Sequence, residues 1–238
     1  MTATAHGGES AHSAAARLAA GSGVAALATT RSGGDPVAFG PVLHGLAGDG
    51  TLLVLAGGDA VPEAVGSGES TPQAVLMVDD YAPLLEARVH LGCLRARGRL
   101  RAARDDEFAG HPLRAEQSAW AGSRLLALEA PHLVLTRLGV SVELPVGEVA
   151  CAEVDPLAHR AFELAEAVDG TRGIALADLV EEGDGPVRLL SLDTRGVHVL
   201  VEDPAGMGIH RVPFTRPVGG VGAAVDEVAR LCGAGARR

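Results

Sequence analysis

The sequence predicts an α+β protein, with a small β-barrel ahead of a compact α+β unit. Three observations lead there. Residues 84–103 alternate with a period of two: Ala87, Val89, Leu91 and Cys93 share one side, with Arg88 and His90 opposite. Further on, Leu94, Ala96, Gly98, Leu100 and Ala102 share one side, with Arg95, Arg97, Arg99 and Arg101 opposite. Such a period belongs to a strand, and the parity switch at Gly92-Cys93 predicts a bulge or bend, as at a barrel corner. Second, residues 24–149 read as many short strands separated by glycine turns, with few helices, which is barrel patterning. Third, the pattern changes near residue 153, where Asp155-Pro156 opens a helical stretch.

Taken in order, residues 1–20 are expected to be a flexible N-terminus and a short alanine-rich helix, capped by Ser10 and stopped by Gly21 and Gly23. Residues 21–153 form the barrel domain. Val24–Thr30 and Val37–His44 are strands joined by the turn Arg31-Ser32-Gly33-Gly34-Asp35-Pro36, and Gly48-Asp49-Gly50 leads into Thr51–Ala56. Residues 57–72 are rich in glycine and proline. Gln73–Val78 and the arginine strand follow, then a helical crossover over 105–122 that contains Trp120. Arg124–Arg137 and Val140–Val149 are read as a last strand pair turning at Leu138-Gly139.

Residues 154–238 form the second domain. Asp155 is the expected N-cap of a helix with Leu157, Ala161, Leu164 and Val168 on one face. Ala175–Val180 is a second short helix. Val187–Leu192, Gly196–Glu202 and Gly208–Phe214 make a three-stranded meander, with turns at Asp193-Thr194-Arg195-Gly196 and Asp203-Pro204-Ala205-Gly206. Val221–Leu231 is the closing helix.

With 238 residues, 47% of them apolar, the chain can build its cores without staples. A formal charge of -10 argues against nucleic acid as a partner, despite the local arginines. The three cysteines, Cys93, Cys151 and Cys232, form neither a metal spacing nor a disulfide framework. No stretch approaches the ~20 apolar residues of a membrane span, and no signal-peptide pattern opens the chain. A cytoplasmic protein is expected, with no membrane partner.

Several residue types invite chemistry. Arg88 and His90 point the same way: an arginine holds phosphate or a carboxylate bidentately, and a histidine ligates iron. Equally, they suit the polar outer face of a barrel. Thr29, Thr30 and Arg31 end a strand at a glycine turn, where hydroxyls and amides hold anions, or where turn chemistry alone suffices. The arginine row reads best as a solvated face pairing with Asp105, Asp106 and Glu107. His132 is a further candidate in a late strand. His210 alternates with Val212 and Phe214 and is expected in the core. No nucleophile elbow, Walker loop, HExxH or CxxC is present.

Two sets of segments carry a resemblance. Leu27-Ala28-Thr29, Gly34-x-Pro36 and Gly48-Asp49-Gly50-Thr51-Leu52-Leu53-Val54 resemble the opening of the split β-barrel of pyridoxamine-phosphate-oxidase-like flavoproteins. Ala87-Arg88-Val89-x-Leu91-x-Cys93 is similar to the barrel strand of their haem-utilisation branch. Leu192-Asp193-x-x-Gly196-Val197-His198-Val199 and Arg211-Val212-Pro213-Phe214-x-Arg216-Pro217 resemble the small α+β domain fused to such barrels. That domain occurs in bacterial haem-utilisation proteins and in the plant glutamyl-tRNA-reductase-binding protein.

The resemblance implies an FMN-binding-like split barrel followed by the α+β domain. It also implies a homodimer, a cofactor at the barrel interface, and a place in tetrapyrrole metabolism. Haem is the first cofactor it implies and FMN the alternative. Arg88 and His90 then join Thr29 and Thr30 as cofactor-binding candidates. His159, just beyond the barrel, is the candidate haem-iron ligand.

Gly57–Val65 lacks the histidine such barrels often carry, and Asp155-Pro156-Leu157-Ala158-His159 replaces an Asn-x-Asp-His-like opening. The function is read as haem binding with or without degradation, with an FMN-dependent oxidoreductase as the alternative and a non-enzymatic adaptor for a tetrapyrrole-pathway enzyme as the further alternative.

Overall fold

The computed structural model describes residues 9–30, 36–57, 61, 65, 72–82, 89–158, 160–169, 175–180, 185–203 and 206–235. The chain divides into two compact units. One comprises residues 11–81 and 90–153, and the other residues 154–238 with residues 9, 10, 82 and 89. No helix among the described residues is long and apolar enough to cross a membrane.

The first unit contains helix α1 (Ala11–Ala19) and strands β1 (Val24–Thr30), β2 (Pro36–Leu46), β3 (Leu52–Ala56), β4 (Gln73–Tyr81) and β5 (His90–Ala102). Helix α2 (Leu113–Ala119) follows, then β6 (Arg124–Glu129), β7 (His132–Arg137), β8 (Val140–Pro145) and helix α3 (Val146–Ala150). The sheet runs β4-β1-β2-β3-β6-β5-β7-β8, and a further β4–β5 pairing closes the first six strands into a barrel. All these pairings are antiparallel. This is a split barrel, as the sequence predicts.

β5 organises the unit. One edge pairs with β4 from His90 to Arg99. The other pairs with β7 through Gly92–Ala96 and then with β6 through Arg99–Ala102. The changeover falls at Gly98, where the β6–β7 connection lies directly on the strand. A Cβ there would stand 2.1 Å from the carbonyl oxygen of Glu129, so only glycine fits. The predicted irregularity is also present. Asp80 faces Gly92 but Tyr81 faces His90, which leaves Leu91 as the extra residue of a bulge.

Inside the barrel, Ala25, Leu27, Leu52, Val54, Leu76, Val78, Leu94, Ala96, Leu100, Leu126 and Leu128 are all buried. β3 is buried on both faces, because Leu53 and Leu55 pack outward against Phe108 and Leu113. α1 is buried from Ser13 to Ala19. Its run of alanines lets it lie close against β2, β4, β5, β7 and α3. Arg17 on it reaches Asp80 of β4 at 2.8 Å, with side chains only 8% and 7% exposed. The buried His44 ring on β2 bonds the Leu18 carbonyl at 2.6 Å through Nε2.

Several details differ from the sequence expectations. The expected strand 124–137 is two strands broken at Ala130-Pro131, since proline cannot donate to a ladder and the chain must cross Gly98. The expected strand 140–149 stops at Pro145 and turns into α3. Asp155 caps the turn before α4 rather than the helix itself, accepting from the Leu157 N–H at 2.9 Å. Residues 176–179 form a single 3₁₀ turn, too short for the expected helix.

The second unit holds α4 (Ala161–Asp169), the 3₁₀ turn, β9 (Val187–Asp193), β10 (Gly196–Asp203), β11 (Gly206–Pro213) and α5 (Val221–Gly235). The meander is β11-β10-β9. Leu189, Leu192, Val197 and Val199 on one sheet face pack with Leu164 and Val168 of α4 and Ala224 and Val228 of α5. His210 has the core-side parity expected of it, opposite Val199, but it is exposed, because β11 is the sheet's edge.

Candidate functional site

The candidate residues do not converge. Thr29 pairs with Ala38 on β2 and Ala74 on β4, which puts it on the inward side of β1 beside Leu27 and Ala25. It is fully buried, and among the described residues its Oγ1 has no hydrogen-bond partner. The backbone of Thr30 lies just past a register shift, opposite Pro36.

His90 sits at the other end of β4, opposite Tyr81. The span from Ala74 to Tyr81 is about 23 Å at about 3.3 Å per residue. His90 points outward. Its Nε2 is 3.0 Å from Asp79 Oδ1, and its ring centroid lies 5.4 Å from that of Tyr81. Arg88 and His159 lie outside the described residues.

What the structure does assemble is an outward face on β4, β5 and β7. Arg95, Arg97 and Arg99 are exposed on alternate positions of β5, about 6.6 Å apart. Arg95 lies between Met77 and Val134, Arg97 beside Val75, and Arg99 beside Gln73. Met77, Val75 and Val134 are half-buried, so the guanidinium groups stand over an apolar pleat. His90 lies at one end of this face. His132, on the same side of β7 as Val134, lies toward the other, with Nδ1 3.7 Å from Glu143 Oε1.

Only part of the arginine row pairs as the sequence suggests. Arg101 binds Glu107 at 2.6 Å and Glu129 at 2.6 Å, and Arg104 also binds Glu107. Among the described residues, no carboxylate pairs with Arg95, Arg97 or Arg99.

Chemically the face offers cations over apolar surface, and little else. Cys93 lies on it, but burial pushes its thiol up and away from a reactive thiolate. Among the described residues, no three His, Cys, Asp or Glu side chains are placed to hold a bare metal ion. The donor set instead suits a flat apolar group that carries its own acidic substituents, with carboxylates or a phosphate on the arginines. Met77, Val134 and His132 were the members of this face that sequence reasoning left out or ranked low. Alternation marks each as outward, but only the cross-strand register puts them beside the arginines.

No family model matches the sequence. Among curated proteins there is likewise no match. In structure, the chain is similar to a haem-binding protein from Mycobacterium smegmatis, with a TM-score of 0.61 and 18% identity over 98% of this chain and 100% of that one. A protein of unknown function from Agrobacterium tumefaciens aligns over 98% of this chain and 99% of its own, at 18% identity and a TM-score of 0.42. A Clostridium acetobutylicum protein of the pyridoxinephosphate oxidase family, related to general stress protein 26, covers 54% of this chain at 12% identity and a TM-score of 0.34. The first likeness bears on the fold, and it extends over both units.

Proposed function

We propose that this protein binds haem or a closely related tetrapyrrole on the arginine face of its barrel, as a homodimer. The observation that carries the reading is the end-to-end likeness to a haem-binding protein, across barrel and α+β unit alike. The face supports it. Arg95, Arg97 and Arg99 are spaced to meet propionates, and Met77, Val75 and Val134 offer the macrocycle an apolar bed. Haem when bound supplies the iron. His159 is the proposed ligand to the haem of the partner subunit, with His90 and His132 the histidines already on the face. Arg88 is proposed as a further propionate contact.

The test is the visible spectrum of the pure protein, as isolated and during titration with haem. A saturable Soret band at one haem per chain, weakened in Arg95→Ala/Arg97→Ala and shifted or lost in His159→Ala, is the expected result. A flavin spectrum as isolated would replace this reading with an FMN-dependent oxidoreductase. No chromophore and no haem uptake would leave the adaptor reading, to be followed by capture of a tetrapyrrole-pathway enzyme. Light scattering checks the dimer, and a monomeric mass would remove that part of the proposal.

A further inference from the structure

A second group of arginines lies away from the β5 face. Arg104, Arg114 and Arg124 line one cleft of about 540 Å³, within the size range of small-molecule sites. Each comes from a different element: Arg104 from the chain just past β5, Arg114 from the first turn of α2, and Arg124 from the first residue of β6. Opposite Ala56, Arg124 shares the inward parity of Leu126 and Leu128, which aims it across the mouth of the barrel.

Its Nη1 donates to the Val65 carbonyl at 3.3 Å, and among the described residues no carboxylate pairs with it. Arg114 meets Asp105 at 3.1 Å, and Arg104 meets Asp106 at 3.6 Å. Those carboxylates are 98% and 79% exposed, so water screens both pairs and an incoming anion can displace them. Arg104 also binds the buried Glu107 at 2.9 Å, a carboxylate it shares with Arg101. Three cations thus line the cleft against one carboxylate, Asp105, in a chain whose formal charge is -10. Gln117 and Ser123 add polar donors, and Phe108 an apolar wall.

We infer that this cleft binds a small organic oxyanion, with a phosphate or carboxylate head on Arg104, Arg114 and Arg124 and its apolar body against Phe108. Guanidinium groups converging from three elements match the several oxygens of one such head, where a single surface arginine would not. The inference does not rest on the haem reading, because the cleft and the β5 face share no lining residue.

The chain has a single tryptophan, Trp120, whose carbonyl accepts from the Ser123 hydroxyl at 2.7 Å. Its fluorescence therefore reports from the rim of the cleft. Full-length, haem-free protein is titrated with phenyl phosphate and, separately, with benzoate. A saturable fluorescence change with at least one of them is expected, and which one binds identifies the head group.

Arg124→Ala should weaken binding at least tenfold. So should Gln117→Glu, which adds a negative charge to the lining and leaves the Arg124–Val65 bond in place. Arg97→Ala on the β5 face should leave the affinity unchanged. No saturable change with either ligand would overturn the inference, as would full affinity in both cleft variants or an equal loss in Arg97→Ala. Haem uptake, read separately in the Soret region, is unaffected by any of these outcomes.

Discussion

The two units use their polar residues differently. In the α+β unit, buried and half-buried carboxylates hold turns. Asp155 accepts from the N–H and hydroxyl of Thr194, 39 residues away. Asp193 takes the Arg195 N–H, the Glu9 N–H and the Arg211 guanidinium. Glu227 takes the N–H and hydroxyl of Thr215 and the Arg230 side chain. The barrel unit has such anchors too, in Arg17–Asp80 and Arg101–Glu107, but it also leaves groups over. Thr29 has a buried hydroxyl without a partner, and Arg95, Arg97, Arg99 and Arg124 lack carboxylates among the described residues. A polar group that no packing requirement explains is where ligand binding is to be sought. By that measure the leftover barrel groups are the first to test for a ligand.

The largest expected effect tests how each unit closes. The barrel closes through pairings distant in sequence and needs Gly98 where two strands cross, with backbone 2.1 Å from a would-be Cβ. Gly98→Val should cost more than about 4 kcal/mol and prevent barrel folding. Gly196→Ala, in the hairpin unit, meets the Val212 carbonyl at 2.6 Å, but on the edge strand β11, which has room to shift. Urea unfolding of the two variants should find the second much milder. Equal losses would erase the contrast.

Next in size is the Arg17–Asp80 pair inside the barrel unit. Removing one partner strips a buried charge of its counter-charge, so Asp80→Asn should destabilise by about 3–5 kcal/mol, whereas Arg17→Met with Asp80→Leu should recover most of the loss. A double variant as weak as the single one would mean that the pair contributes directly rather than by mutual compensation.

Acid should then weaken both units. Hydrogen bonds from Arg101 hold the Glu107 carboxyl at about 2, and Arg230 and Thr215 hold that of Glu227 at about 2. Both are depressed carboxylates, so their stabilisation is full above about 4.5 and is lost as pH falls toward 2. Glu107 is 2% exposed, and Glu107→Gln should cost on the order of 3 kcal/mol at neutral pH and little near pH 2.

His44 works earlier. Burial lowers its pKa, so the folded barrel favours the neutral ring, while the unfolded chain takes up a proton below about 6.5. Below about pH 6.5 the barrel should therefore weaken as the pH falls. Thermal melts of the native protein against His44→Gln check this. A native profile flat in that window would show that His44 protonates without cost.

Much of this division was legible in the sequence, and what was not has a common cause. The period-two runs, the bulge beside Gly92 and the turn at Asp193–Gly196 are local, and each appears where the pattern puts it. The break at Pro131 was missed because a proline inside an apolar run reads as a blemish until Gly98 is seen beneath it. Arg17 and Asp80 are 63 residues apart, and nothing in an alanine-rich helix says which face will be buried. The Arg124 cleft and the Met77–Arg95–Val134 row depend on strand register, which alternation leaves free by any even number of residues. Those are also the features closest to function, since sites are built where distant segments meet.

The smallest effect bears most directly on the candidate residues. A Thr29 hydroxyl kept for a ligand and one merely left unsatisfied make opposite predictions. Valine has nearly the same shape and no hydroxyl to bury. If the group is only an orphan, Thr29→Val should stabilise the barrel by about 1 kcal/mol, by removing an unpaired polar atom, and haem uptake should not change. If the hydroxyl instead serves a bound group, the variant should gain the same stability when ligand-free and lose affinity in the haem titration. A fully buried Oγ1 behind paired strands favours the first outcome. That would move Thr29 from the ligand to the core and leave the outward arginines as the barrel's binding surface.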